Sequence, residues 1–352
     1  MESPFDGDAR SPHHITARVD TAPARGVLSL LAGGADAPAT LRRLKASSTL
    51  AQALRQEGLN PEDFFGRLVA AAAGSPDPLL ATYSDKSVAF RAVLDALDAE
   101  GGPLVMLEAQ RIAALLPQSP VLTAEVVFVP FFSVAGFADV MTVREGEKFS
   151  LLAEIPRIAG ESLATAPPRE TMLKLIRSSS AEGWLALFNA NFRKPPVWPN
   201  EKSTTFESLL ARTVAEGPAT LFLFPDEFFP IAILFEEPIQ RSFARWNRAV
   251  DGLVDPKKKE SEKSDILAEA SRGDFWGRYS AIVGAHMVET LIRQVGREEY
   301  LKALAAGPRA VATLYMTATK GTKGPSFGKA ARKELEHQPA PEKAAGGAAG
   351  PN

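Results

Sequence analysis

The stretch that most constrains this chain is Val126-Val127-Phe128-Val129-Pro130-Phe131-Phe132. It is β-branched and aromatic, too short and too crowded for an amphipathic helix, and it predicts a strand buried on both faces. Val140 to Val143, after a turn at Gly136-Phe137-Ala138-Asp139, predicts a second strand, and Phe149 to Ile155 a third. A small sheet therefore lies in the sequence between two helical blocks.

The first block runs from Arg25 to Pro117, where apolar residues recur at helical spacing. Asn60-Pro61-Glu62-Asp63 opens one helix, with an Asn cap and proline at the first helical position. Ser87 to Glu100 forms another, which Gly101-Gly102-Pro103 is expected to stop, leaving Val105 to Leu116 as the last. In the second block, helices are expected from Pro168 to Ser178, Ser180 to Ala190, Gln240 to Leu253, Phe275 to Val295, Glu298 to Ala305 and Pro308 to Tyr315. Another, capped by Thr204 or Thr205, carries Leu209, Leu210 and Val214, with Lys194 to Pro199 as an extended loop before it and Lys257 to Lys263 as a solvated loop later. The class is mainly α with a small β-sheet, α+β.

This reading divides the chain into a flexible segment, 1–24, a domain over 25–317 and a disordered tail, 318–352, rich in Lys, Gly, Ala and Pro. The domain comprises a helical half, 25–117, the sheet, 118–156, and a second set of helices, 165–317. With 352 residues, 45% of them hydrophobic, a sizeable core is available. Lys+Arg 40 against Asp+Glu 42 gives a charge of -2, too balanced to favour nucleic acid. The cysteine count of 0 removes disulfides, thiol nucleophiles and cysteine metal sites. No apolar run is long enough to span a bilayer and no signal peptide is visible, which leaves the compartment open. Nor is there a P-loop, a G-x-G-x-x-G after a strand or a G-x-S-x-G.

Three later stretches carry the candidate chemistry. Arg169-Glu170-Thr171-Met172-Leu173 opens a helix, Val214-Ala215-Glu216-Gly217-Pro218-Ala219 closes another, and Gly284-Ala285-His286-Met287 precedes Gly296-Arg297-Glu298. In this order, from about Thr16 to Tyr315, the chain resembles the gluzincin type of bacterial zinc-dependent peptidase, a poorly characterised family. The resemblance implies a zincin-like scaffold, an H-E-x-x-H helix with two histidine ligands flanking a general-base Glu, and a third ligand from the later Glu-Gly.

The chain departs from that pattern where the metal would sit. Its histidines are His13, His14, His286 and His337, and no two are four apart. The His positions hold Arg169 and Leu173, neither of which offers a lone pair. Glu170, at the general-base position, and Glu216, as third ligand, remain. The expectation is a degenerate site with no cofactor, in which the scaffold binds peptide or protein along a strand edge near Val126 to Val129. Arg169 then replaces the metal as the cation between Glu170 and Glu216. The alternative is an active metal-dependent hydrolase that gathers zinc with Glu170, Glu216 and His286, and a third reading is a structural domain closed over Leu173. On plainer readings Glu170 is a first-turn acid favoured by the helix dipole, Glu216 a surface acid, His286 an interior histidine and His13-His14 a loop pair. Elemental analysis of the dialysed protein, with melts in added Zn²⁺ and in chelator, separates them: the degenerate site predicts no stoichiometric metal and an unmoved midpoint.

Overall fold

The computed structural model describes residues 11–33, 36–132, 139–160, 163, 165–195, 197–199, 204–224 and 236–337. The expected turn at Gly136-Phe137-Ala138 lies outside them. The chain is mainly helical with one small mixed sheet, and it divides into two compact units, 1–194 with 215–232, and 195–214 with 233–352. The single domain expected over 25–317 is thus divided, and the cut falls inside its second helical set.

The first unit is built on the sheet. Its strands are β1 (His14–Val19), β2 (Thr123–Phe131), β3 (Val140–Glu145) and β4 (Lys148–Glu154), in the order β1-β2-β4-β3. β1, β2 and β4 are parallel, while β3 joins the edge as the antiparallel partner of β4. β2 is buried on both faces, as its composition predicts, because helices cover both. The first block supplies α1 (Ala22–Leu31), α2 (Ala37–Lys45), α3 (Ser48–Gln56), α4 (Pro61–Ala72), α5 (Pro78–Asp85) and α6 (Ser87–Ala114). After β4 come α7 (Ile155–Ala159) and α8 (Pro168–Asn191). α6 and α8 pack together on the face that carries Leu151, and the starts of α1 and α3 reach the face that carries Val127 and Val129.

Pro130 shows how the ladder accommodates a residue with no N–H. The Phe128 carbonyl bonds Asp20 N at 2.9 Å, opposite the last pair, Val19 with Phe128. Two residues later Pro130 faces the same side, beyond the end of β1, so no ladder bond is lost there.

Three expectations give way here. Residues 14–19 of the supposed flexible segment are a strand, and His13 anchors it: its Nε2 lies 2.9 Å from the Pro117 carbonyl, and its Nδ1 accepts from Leu122 N at 3.1 Å. That pattern requires the neutral ring, and burial lowers the His13 pKa accordingly. Second, Gly101-Gly102-Pro103 does not end a helix, because α6 runs through it for 28 residues. A Cβ on Gly101 would meet the Val19 side chain at 3.2 Å, so the glycine lets α6 lie close to β1. Pro103 frees only the carbonyl of Ala99, an exposed residue. Third, α8 is one helix through Ser178-Ser179-Ser180. The Ser180 hydroxyl returns to the Ile176 carbonyl at 2.8 Å, a bond that leaves the ladder intact.

α9 (Phe206–Leu221) begins in the second unit and ends in the first. The second unit continues with α10 (Glu236–Val254), α11 (Glu260–Ala270), α12 (Tyr279–Val295), α13 (Arg297–Ala306), α14 (Pro308–Ala318) and α15 (Lys329–Glu336). The solvated loop expected to Lys263 already turns helical at Glu260. Trp246 lies at the centre of this unit, fully buried, with its Nε1 donating to Thr213 Oγ1 at 2.9 Å. The tail expected to be disordered from 318 is ordered here through 337. Phe327 stacks on Trp246 at 4.8 Å, and Asn247 brackets the same turn, accepting from Gly328 N at 2.8 Å and donating to the Ser326 carbonyl at 3.2 Å. Among the described residues no helix is long and apolar enough to cross a membrane.

Gly307 joins α13 to α14 at a φ of +105°, and a Cβ there would lie 2.5 Å from a Val197 methyl. Gly307→Ala should therefore lower stability by about 1–3 kcal/mol in denaturant titration.

Candidate functional site

The motif residues of α8 lie at its exposed start. Arg169 Nε pairs with Glu100 Oε2 at 3.0 Å, and both side chains are at least half exposed. Glu170 pairs with Lys174, one turn on, at 3.3 Å. Arg169 is therefore a surface cation engaged with α6, and it does not occupy the place of a metal between Glu170 and Glu216. Leu173 is half-buried, while the core positions of that turn are Met172, Leu175 and Ile176. Glu216, on α9, is half-buried, and its backbone carbonyl accepts the Thr220 hydroxyl at 2.8 Å.

His286 belongs to an aromatic cluster of the second unit. Its ring meets Phe243 edge-on at 5.5 Å and Tyr315 at 6.2 Å, and Nε2 lies 3.4 Å from Thr290 Oγ1. Burial, with a smaller effect from Arg293, pushes its pKa down to about 4, so the ring is neutral at physiological pH. Next to it along α12, Glu289 pairs with Arg293 at 3.1 Å, and its pKa is raised by burial.

Zinc does not fit the donors at the motif. Arginine and leucine carry no lone pair, and the one motif carboxylate on α8 is held in an exposed ion pair. Among the described residues no group of three or more His, Asp or Glu side chains is placed to hold a metal ion.

A different acidic centre emerges in the first unit. Glu154 ends β4, on the face that carries Ser150 and Leu152, and is 6% exposed, with its Oε2 buried and without a hydrogen-bond partner among the described residues. Glu57, just beyond α3, is also buried. Burial first, then repulsion from Glu57, pushes the Glu154 pKa up to about 7; Asp139 adds to the rise and Arg157 opposes it. Arg157 is itself engaged with Asp139 at 2.5 Å. Tyr83 on α5 completes the surroundings, its pKa raised by burial and by the two glutamates. This centre is not among the expected residues. The sequence carries no signal for it, because the residues of β4 on the same face as Glu154 are Lys148, Ser150 and Leu152, mostly polar, and the strand is buried on both faces.

Comparison with known proteins adds no relative: no family model, curated protein or solved structure matches this chain.

Glu154 gives the site its pH dependence. Its folded pKa lies above the ordinary carboxylate value, so its contribution to stability is complete below about pH 4.5 and is lost as pH rises through about 7. Glu154→Gln removes that loss. The melting difference between variant and wild type should be small at pH 5 and grow in favour of the variant by about 3 kcal/mol at pH 8.

Proposed function

We propose that the chain is a non-catalytic peptide- or protein-binding module on a peptidase-like, zincin-like scaffold. The order of elements supports the scaffold. A helical layer leads to a mixed sheet, the long α8 packs on that sheet, and α9 follows with Glu216-Gly217. α12 then carries Gly284 to Met287 and ends at Gly296-Arg297. The state of the motif argues against zinc hydrolysis, because Arg169 and Glu170 are exposed and separately paired.

The observation that carries the binding reading is the edge strand β3. The expected docking strand, β2 near Val126 to Val129, is flanked by β1 and β4 and offers no edge. β3 pairs only with β4 among the described strands. Asp139 O bonds Glu154 N at 2.9 Å, so by alternation the backbone groups of Val140, Thr142 and Arg144 point away from β4. Gln56 Nε2 reaches the Thr142 carbonyl from that side at 3.4 Å, a long bond that an incoming strand can replace. The β3 side chains are held in place, with Thr142 Oγ1 donating to Glu182 on α8 at 3.1 Å and Arg144 lying over the Phe149 ring at 5.2 Å. A rigid edge of this kind suits an extended peptide added as a strand.

Thr142→Pro tests it. The substitution removes an N–H that faces away from β4, so the sheet should persist by circular dichroism. The wild type should bind members of an extended-peptide library, and the variant should lose at least tenfold in affinity. Equal binding by both, or none by the wild type, counts against the reading.

A further inference from the structure

Both ends of α3 are tied to β3. At the start of the helix the Ser48 side chain bonds the Glu145 carboxylate, which, with Lys148 nearby, holds the Glu145 pKa below its ordinary value. At the end of the helix Gln56 Nε2 donates to the Thr142 carbonyl, on the side of β3 turned away from β4. The next residue, Glu57, closes the helix, with its N–H on the Ala53 carbonyl at 3.1 Å, and Gly58 turns the chain at a φ of +75°. Glu57 is 8% exposed, whereas Gln56 and Gly58 on either side of it lie at the surface. A carboxyl group buried beside Glu154 thus anchors the end of α3. We propose that Glu57 and Glu154 form a proton-operated latch on the β3 edge: while the pair holds a proton, the end of α3 stays on Thr142, and loss of that proton drives it away and opens the edge to an extended peptide. The inference rests on the reading of β3 as a peptide-binding edge.

The groups around the pair give a second negative charge little relief. Glu154 Oε2 is buried and has no hydrogen-bond partner among the described residues, and its side chain makes no bond to the start of α7, which it precedes. Arg157 on α7 is engaged by Asp139, which itself repels Glu154. On α5, burial and the two glutamates raise the Tyr83 pKa, so the phenol stays neutral, and Arg67 on α4 is bonded to Asp77 at 2.8 Å. Two like charges in so dry a place are relieved by exposing one of them. Glu57 is the one that can leave, because it lies at a helix end beside the Gly58 turn, while Glu154 is fixed in the sheet by its N–H on the Asp139 carbonyl at 2.9 Å. The long Gln56 bond, 3.4 Å, opposes that movement weakly. Glu145 stays charged throughout, so Ser48 keeps its hold and α3 pivots about its start. Opening gains weight from about pH 4.5, the ordinary value that hydration restores to Glu154, to about pH 7, where the buried group ionises, and then levels off. Each pH unit in that window shifts the balance by up to about tenfold.

Two measurements on the whole chain separate the latch from the peptide reading. Hydrogen exchange of the α3 amides, without peptide and corrected for the intrinsic pH dependence of exchange, should lose protection at least tenfold from pH 5 to pH 7.5 in the wild type and hold constant in Glu154→Gln. At pH 5 the two proteins should agree. Calorimetry with an acetylated, amidated peptide of alternating Val and Thr, which carries no titrating group, should show binding at least tenfold tighter at pH 7.5 than at pH 5 in the wild type and equally weak at both in Glu154→Gln. Protection of α3 that ignores pH, or that falls equally in the variant, would overturn the latch. So would peptide affinity that stays constant while α3 opens. Opening of α3 with no peptide bound at either pH overturns the reading of β3 instead, since the exchange result alone decides whether the pair moves the helix.

Discussion

The first unit depends on the enclosure of β2. A strand made of Val126 to Phe131 cannot leave either face or either edge to water without exposing large side chains or a row of backbone groups, so every neighbour is recruited to cover it. β1 and β4 take the edges, α6 and α8 one face, and the starts of α1 and α3 the other. The small residues of the helices serve this closure. Gly101 admits Val19, and a Cβ at Gly183 would lie 2.9 Å from Leu151, so both helices approach the sheet more closely than a side chain would permit. Enclosure also explains the parallel pairing of β1. The long first helical block between β1 and β2 is the crossover that a parallel pair requires.

That closure leaves polar groups at the margins of the sheet, and the candidate sites lie there. Glu154 sits where β4 ends, dry enough to hold its proton near neutral pH. β3 is left at the rim because antiparallel pairing to β4 satisfies only one of its sides. The motif at the start of α8 lies in the open, where Arg169 and Glu170 form separate ion pairs with surface partners, the kind that contributes about 0–1 kcal/mol. An active metallopeptidase requires the opposite arrangement, with donors converging in a sheltered place.

In the second unit a single aromatic group organises the packing. Trp246 is fixed by Thr213, by Phe206 edge-on at 6.3 Å and by Phe327 stacked upon it. Phe327 lies in a stretch whose composition is that of a disordered tail. The ring and the bonds of Asn247 do not act alone there: the Tyr315 hydroxyl donates to the Pro325 carbonyl at 2.7 Å, Arg309 donates to the Glu334 carbonyl at 2.9 Å, and Ala331 is buried.

What the sequence by itself determined is the local pattern. The β-branched run, the helical spacing and the Asn60 cap are properties of neighbouring residues, and all of them are present in the fold. Tertiary structure decided where helices continue and which residues meet. Gly101-Gly102-Pro103 and Ser178-Ser179-Ser180 read as breaks because their cost is local, but packing against β1 and β4 carries α6 and α8 straight through. His13 read as a loop residue because its partners, Pro117 and Leu122, lie about a hundred residues away. Glu57 and Glu154 are ordinary acids in the sequence. Only the fold, by burying them close enough to repel, raises the Glu154 pKa, since desolvation and charge repulsion depend on distances in space.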